Sequence, residues 1–188
     1  VATVFTEAEE ALGPALILVN NAGIAESAAF EKADLDHWHR HMEVNVIGAV
    51  ACIQAVLPAM READWGRIVN VASTSGLIGY PQIAAYSASK HALVGMTRSL
   101  ALELARTGIT VNAVCPSYTE TDMSAGAIAN LMKGGRSEEE ALAILTRRNP
   151  QARLVKPEEV AQTVGWLALP ATTAVTGQSI AVAGGEVM

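Results

Sequence analysis

Leu16-Ile17-Leu18-Val19-Asn20-Asn21-Ala22-Gly23 joins a continuous apolar run to a small polar turn. Apolar residues in unbroken succession, without alternation, mark a strand buried on both faces, the usual condition in a parallel sheet. Just before it, Gly13-Pro14 stops the helical spacing of Val4, Phe5, Ala8, Ala11 and Leu12, so residues 1–12 are expected to be helical. Beyond the turn the alternation repeats. Asp34 is a good N-cap for a helix over residues 34–63. A strand follows over 67–72, then a loop over 73–81, then a helix that runs to Arg106 and is closed by Gly108. Residues 109–115 form a third strand that stops at Pro116. Residues 117–151 are polar and glycine-punctuated, with one charged helix over 137–148. Pro157-Glu158-Glu159 opens a helix in the position proline favours, and residues 179–183 form a last strand. This order predicts an α/β fold: a doubly wound parallel sheet with helices on both faces. No repeat or linker divides it, so residues 1–188 form a single domain. The chain enters on Val1 in mid-helix, which leads us to expect an N-terminally truncated domain, a fragment whose first strands precede it.

The formal charge of -6 argues against nucleic acid or an anionic membrane as a partner, since both demand basic patches. Cys52 and Cys115 have neither disulfide nor metal-ligand spacing, as suits a reducing compartment. The apolar stretch 44–60 is interrupted by Asn45, Gln54 and Pro58, and no basic-then-apolar leader is present. A cytoplasmic protein without a metal site is expected.

Ligands of such sheets bind beyond the carboxyl ends of the strands. Those ends carry Asn20 to Gly23, Ser73 to Ser75, and Pro116 to Thr121, all but a few of them small, hydroxylic or amide residues. The third helix brings Tyr86 and Lys90 to the same rim. Four residues apart, they share a helix face. A neighbouring ammonium favours the phenolate and is expected to lower the tyrosine pKa, making Tyr86 a proton donor and acceptor.

Val19-Asn20-Asn21-Ala22-Gly23, Asn45-Val46-x-Gly48, Ile68-Val69-Asn70-Val71-Ala72-Ser73, Tyr86-x-x-x-Lys90 and Asn112-Ala113-Val114-Cys115-Pro116 together resemble the ordered signature of the classical short-chain dehydrogenases/reductases. The resemblance spans essentially the whole chain. It implies a Rossmann-like fold and an NAD(P)-dependent oxidoreductase that interconverts a ketone and a secondary alcohol, with NAD or NADP as cofactor. Tyr86 would be the acid/base and Lys90 would lower its pKa and hold the nicotinamide ribose. Ser73 would donate to the substrate oxygen, and Asn45 would hold a water linking Lys90 to solvent. Asn21, Ala22 and Gly23 would border the cofactor ribose, with Pro116, Thr119 and Thr121 around the carboxamide. Ser75 and Tyr80, with Ser73 and Tyr86, would face the substrate.

The family's glycine-rich cofactor turn is not in this sequence, so an exposed edge at residues 16–19 is expected. Ser117 stands where a glycine is usual, a strain if that position needs positive φ. Leu16 and Ala183 replace two common aspartates. The wall from Thr74 to Ala85 carries no charge, which suits a substrate neutral near its carbonyl, such as a 3-oxoacyl thioester, with its phosphopantetheine across a mobile segment 125–148. The helices carrying Ala49, Ala51 and Ala55, and Ala92, Gly95 and Ala101, are small or apolar on more than one stripe, which points to a homodimer or homotetramer. A secondary-alcohol, polyol or hydroxysteroid dehydrogenase is the alternative enzyme. A non-catalytic binding or scaffold subunit is the alternative of another class, disfavoured because Asn45, Ser73, Tyr86 and Lys90 are all retained.

Overall fold

The computed structural model describes residues 2–188; Val1, and the expectation that the chain begins in mid-helix there, lie outside them. A helix α1 (Ala2–Leu12) leads into β1 (Ile17–Asn20), followed by α2 (Leu35–Met42), a π-helical segment (Glu43–Ile47) and α3 (Gly48–Glu62). Then come β2 (Gly66–Val71), α4 (Ala84–Glu103), β3 (Ile109–Pro116), α5 (Asp122–Lys133), α6 (Glu138–Thr146), α7 (Pro157–Ala168) and β4 (Ser179–Val182). The four strands form one sheet in the order β1-β2-β3-β4, every pair parallel, with Leu18 opposite Ile68 and Ile68 opposite Val111.

Successive side chains on a strand point to opposite faces, and the core divides accordingly. Leu18, Ile68 and Val111 meet Ile53, Val56 and Met60 of α3, with Ala101 of α4 and Leu104 just beyond it. Ala113 and Cys115 meet Leu93 and Val94 of α4. On the other face Val69 and Val114 pack against Leu167, Val160 and Val164 of α7. β2 and β3 are therefore covered on both faces, whereas the expectation that the run 16–19 is buried on both faces is corrected: in β1 only Leu18 is buried. By length and composition alone the run Leu35–Glu62 is apolar enough to cross a membrane; here its apolar stripe is used on the sheet. β1 ends the sheet, and Ile17 and Val19 are 47% and 41% exposed along that edge, where an unpaired strand is open to further pairing.

Buried polar groups fix the register. Asn20 donates to Asn70, Asn70 donates to Thr97 of α4, and Thr97 donates to the Leu93 carbonyl, each at 2.8 Å. Asn112 donates to the Val175 carbonyl and accepts from the Gln178 amide, tying β3 to the turn before β4. Arg67 is fully buried with no carboxylate beside it. Its guanidinium donates instead to the carbonyls of Leu169, Pro170, Gly66 and Gly108, and it stacks 4.7 Å from the Trp65 ring.

Three further expectations need correction. The helix over 34–63 does run from Leu35 to Glu62, capped by Asp34 accepting the His37 amide at 2.7 Å, but it is not α-helical throughout: Glu43–Ile47 is a π-helical segment. The helix after the 73–81 loop ends at Glu103, because Leu104 leaves helical geometry to fill the core; Gly108 instead lets the chain run against the Asp64 carbonyl, where no side chain fits. The stretch 117–151 holds not one helix but two: the one expected over 137–148 is α6, and α5 precedes it. Ser137 and Glu140 cap α6 reciprocally.

Candidate active site

The strand ends converge on a cavity of about 920 Å³, in the range of small-ligand and cofactor sites. β1 delivers Asn21, Ala22 and Gly23, β2 delivers Ala72 and Ser73, and the chain after β3 delivers Pro116, Ser117, Thr119 and Thr121. Tyr86 and Lys90 enter from α4, and Met123 of α5 with Val160 and Val164 of α7 form the apolar far wall. A second hollow of about 280 Å³, between α1 and α3, holds none of the motif residues.

Lys90 is 5% exposed, and burial lowers its pKa from 10.5 to about 8. Its ammonium donates to the Val71 carbonyl at 2.9 Å and lies 5.7 Å from the centre of the Tyr86 ring. An ammonium has three donors, so two remain for the cavity. The expected lowering of the Tyr86 pKa is corrected: burial pushes the phenol upward, and the Ser73 hydroxyl beside it pulls the other way. Desolvation dominates, and the Lys90 ammonium gives its hydrogen bond to the Val71 carbonyl. Ser73 accepts the Ser75 amide at 3.1 Å, which leaves its own proton free to donate.

Asn45 sits behind this wall, 2% exposed, in the π-helical segment where the Gly48 amide reaches back to the Glu43 carbonyl. Such single wide turns inside helices recur at functional sites. Its amide accepts the Ile24 N–H at 2.8 Å and donates to the Ile24 carbonyl at 3.0 Å. It also donates to Ser89 at 2.9 Å, and Ser89 donates to the Tyr86 carbonyl. Asn45 thus joins the loop after β1 to the helix that carries Tyr86. At Gly23 an added Cβ would lie 3.1 Å from Asn45 Oδ1 and 3.6 Å from Lys90 Nζ. Bare backbone there keeps open the space in front of both groups. With the two free donors of Lys90, this matches the nicotinamide-ribose half of a dinucleotide.

Ser75 and Tyr80 do not line the cavity. Ser75 is 4% exposed, turned inward by its amide bond to Ser73. The Tyr80 hydroxyl bonds Thr74 at 2.8 Å and Glu186 at 2.7 Å, and Arg148 stacks 4.9 Å from its ring. Glu186 also accepts from the Ser117 hydroxyl. Positive φ among non-glycine residues is confined to Asp64, Gln82 and Ala152 among the described residues, so Ser117 carries no such strain. Sequence reasoning missed Ser89, Glu186 and His41, whose ring meets Tyr86 edge-on with centroids 6.4 Å apart. The only signal for His41 was its place one helical turn before Asn45.

A parallel sheet covered on both faces, with a tyrosine, a lysine and a serine at its carboxyl edge, defines a nucleotide-dependent oxidoreductase. Residues 1–186 match the family described as Enoyl-(Acyl carrier protein) reductase. A Streptomyces coelicolor protein named as a ketoacyl reductase is 46% identical over 179 residues, covering 94% of this chain and 69% of its own. The 3-oxoacyl-[acyl-carrier-protein] reductase of a Synechocystis strain is 39% identical over 173 residues, 92% of this chain and 65% of that one. A variant of the actinorhodin polyketide ketoreductase, solved with NADPH, superposes with a TM-score of 0.92 at 42% identity, over 98% of this chain and 72% of that one. The chain belongs to the classical short-chain dehydrogenases/reductases, and it is an NAD(P)-dependent oxidoreductase acting on a small carbonyl or alcohol substrate.

Proposed function

We propose that the protein reduces the ketone of a 3-oxoacyl thioester, or of a related polyketide chain, to a secondary alcohol, with Tyr86, Ser73, Lys90 and Asn45 as its working residues. The observation that carries this is the convergence of Ser73, Tyr86 and Lys90 on one cavity; the stretch 74–85 that joins Ser73 to Tyr86 has no charged side chain. The likeness to a 3-oxoacyl reductase and to a polyketide ketoreductase supports the same substrate class.

When bound, the nicotinamide cofactor supplies the hydride in reduction and takes it up in oxidation. Asn21, Ala22 and Gly23 would border its ribose, Lys90 would bond that ribose with its two free donors, and Pro116, Thr119 and Thr121 would flank the carboxamide. Ser73, whose oxygen already accepts the Ser75 amide, directs its proton to the substrate carbonyl oxygen and stabilises charge developing there. Tyr86, its phenol held protonated by burial, gives its proton to the same oxygen in reduction and removes it in oxidation. The remaining lone pair of Asn45 Oδ1, facing the space beside Gly23 and Lys90, would accept a water through which the proton is returned from solvent.

The same reading puts the protein in the cytoplasm, in line with two unpaired cysteines. It also makes the protein a homo-oligomer through the outer faces of α3 and α4. Gly95 and Leu102 are exposed there, whereas Ala49 and Ala101 belong to the core. A turnover screen tests the substrate class: reduction of acetoacetyl-CoA is expected, and rapid oxidation of a sugar or steroid alcohol with no rate on acetoacetyl-CoA would refute it.

A further inference from the structure

We propose that His41 is a positioning residue of this site: its neutral ring ties the loop after β1 to α2 and so fixes the Asn21–Gly23 wall of the cavity. The inference rests on the oxidoreductase reading for its functional consequence, but the tie itself is a matter of geometry. His41 is fully buried. Its Nδ1 lies 2.8 Å from the His37 carbonyl, and its Nε2 lies 3.1 Å from the Glu26 amide nitrogen. A carbonyl only accepts and a backbone amide only donates, so the proton sits on Nδ1 and Nε2 is the bare acceptor. Both ring nitrogens are thereby satisfied in one neutral tautomer.

Glu26 lies three residues beyond Gly23, and Ile24 between them is gripped by Asn45. Two tethers, one from α2 and one from the π-helical segment, therefore hold the segment that leaves the cavity. The same His41 ring backs Tyr86 edge-on. The groups around it are the His37 ring at 4.5 Å, the Glu26 carboxylate bonded to Arg40 at 2.9 Å and 3.5 Å from His37, and Tyr86 from α4. A second proton on His41 would set N–H against N–H at Glu26, abolish the tether and leave that amide unpaired.

His41→Gln keeps an acceptor for the Glu26 amide, and His41→Leu keeps volume without the acceptor. Amide hydrogen exchange over residues 22–28 is compared with that of β2 and β3, alongside the cofactor KM and kcat. At neutral pH the Gln variant should protect the segment as the wild type does. The Leu variant should exchange about tenfold faster there alone, the loss of one hydrogen bond, and should raise the cofactor KM more than it lowers kcat. If the Leu variant also loses protection in β2 and β3, the Gln variant decides: wild-type protection over residues 22–28 and a wild-type cofactor KM are expected of it. Unchanged exchange in a folded Leu variant, or a loss of protection over residues 22–28 in the Gln variant as large as that in the Leu variant, would overturn the proposal. Exchange as expected, with no NAD(P)-dependent turnover of any ketone, would sink the functional reading and leave the tether standing.

Discussion

Replacing Lys90 by methionine separates what the site needs from what the fold tolerates. The ammonium is buried at the cavity wall and its pKa falls from 10.5 to about 8. At about 1.4 kcal/mol for each pH unit by which the pKa moves, keeping this charge costs the fold about 3 kcal/mol at neutral pH. The bond to the Val71 carbonyl returns about 1 kcal/mol of stability that methionine would forfeit. Lys90→Met should thus be more stable than the wild type by about 2 kcal/mol at pH 7, while losing activity. Below pH 8 the lysine is charged in both the folded and unfolded states, so the full cost is present. Between pH 8 and 10.5 the unfolded chain binds the proton that the folded protein has released, so wild-type stability rises with pH through that window. Urea unfolding of both proteins from pH 7 to 10 measures this directly: the gap should narrow as pH rises. A variant no more stable than wild type at pH 7, with a gap that does not change with pH, would refute the reasoning.

Arg67 gives the opposite expectation. Its guanidinium holds four carbonyls from β2, the chain before β3 and the end of α7, so Arg67→Met should cost about 4 kcal/mol in urea unfolding, about 1 kcal/mol for each bond lost; a loss under about 1 kcal/mol would show that the carbonyls find other partners. Gly23→Ala places a methyl 3.1 Å from Asn45 Oδ1 and 3.6 Å from Lys90 Nζ. Overpacking of about 1–3 kcal/mol should weaken NAD(P)H binding about tenfold or more in a fluorescence titration, and wild-type affinity would mean that the cofactor does not pass this wall.

All four strands were legible from their β-branched and apolar residues, as in Leu16-Ile17-Leu18-Val19, but that run did not report burial: β1 buries Leu18 and leaves Ile17 and Val19 exposed. The shared face of Tyr86 and Lys90 followed from helical spacing alone. The π-helical segment was not legible, because Val44, Val46 and Ile47 continue the apolar composition and only the reach of the Gly48 amide to the Glu43 carbonyl reveals the extra residue. α5 was hidden by Gly126 and by a start set through Thr121 and Ser124 rather than an acidic cap. Ser75 and Tyr80 sat near the site in sequence, yet the turn after Ser73 folds Ser75 inward, and Glu186, from the far end of the chain, draws Tyr80 aside. The direction of the Tyr86 shift depends on burial, which no spacing rule reports.

The central claim is that the Tyr86 hydroxyl is the proton donor and acceptor of a hydride-transfer site. Tyr86→Phe removes that oxygen alone and retains the ring against His41 and Lys90. Ketone reduction followed through NAD(P)H absorbance should fall by about 10²–10⁴ in kcat/KM, with cofactor affinity within about twofold of wild type. Reduction retained to within about tenfold of the wild type would contradict the account.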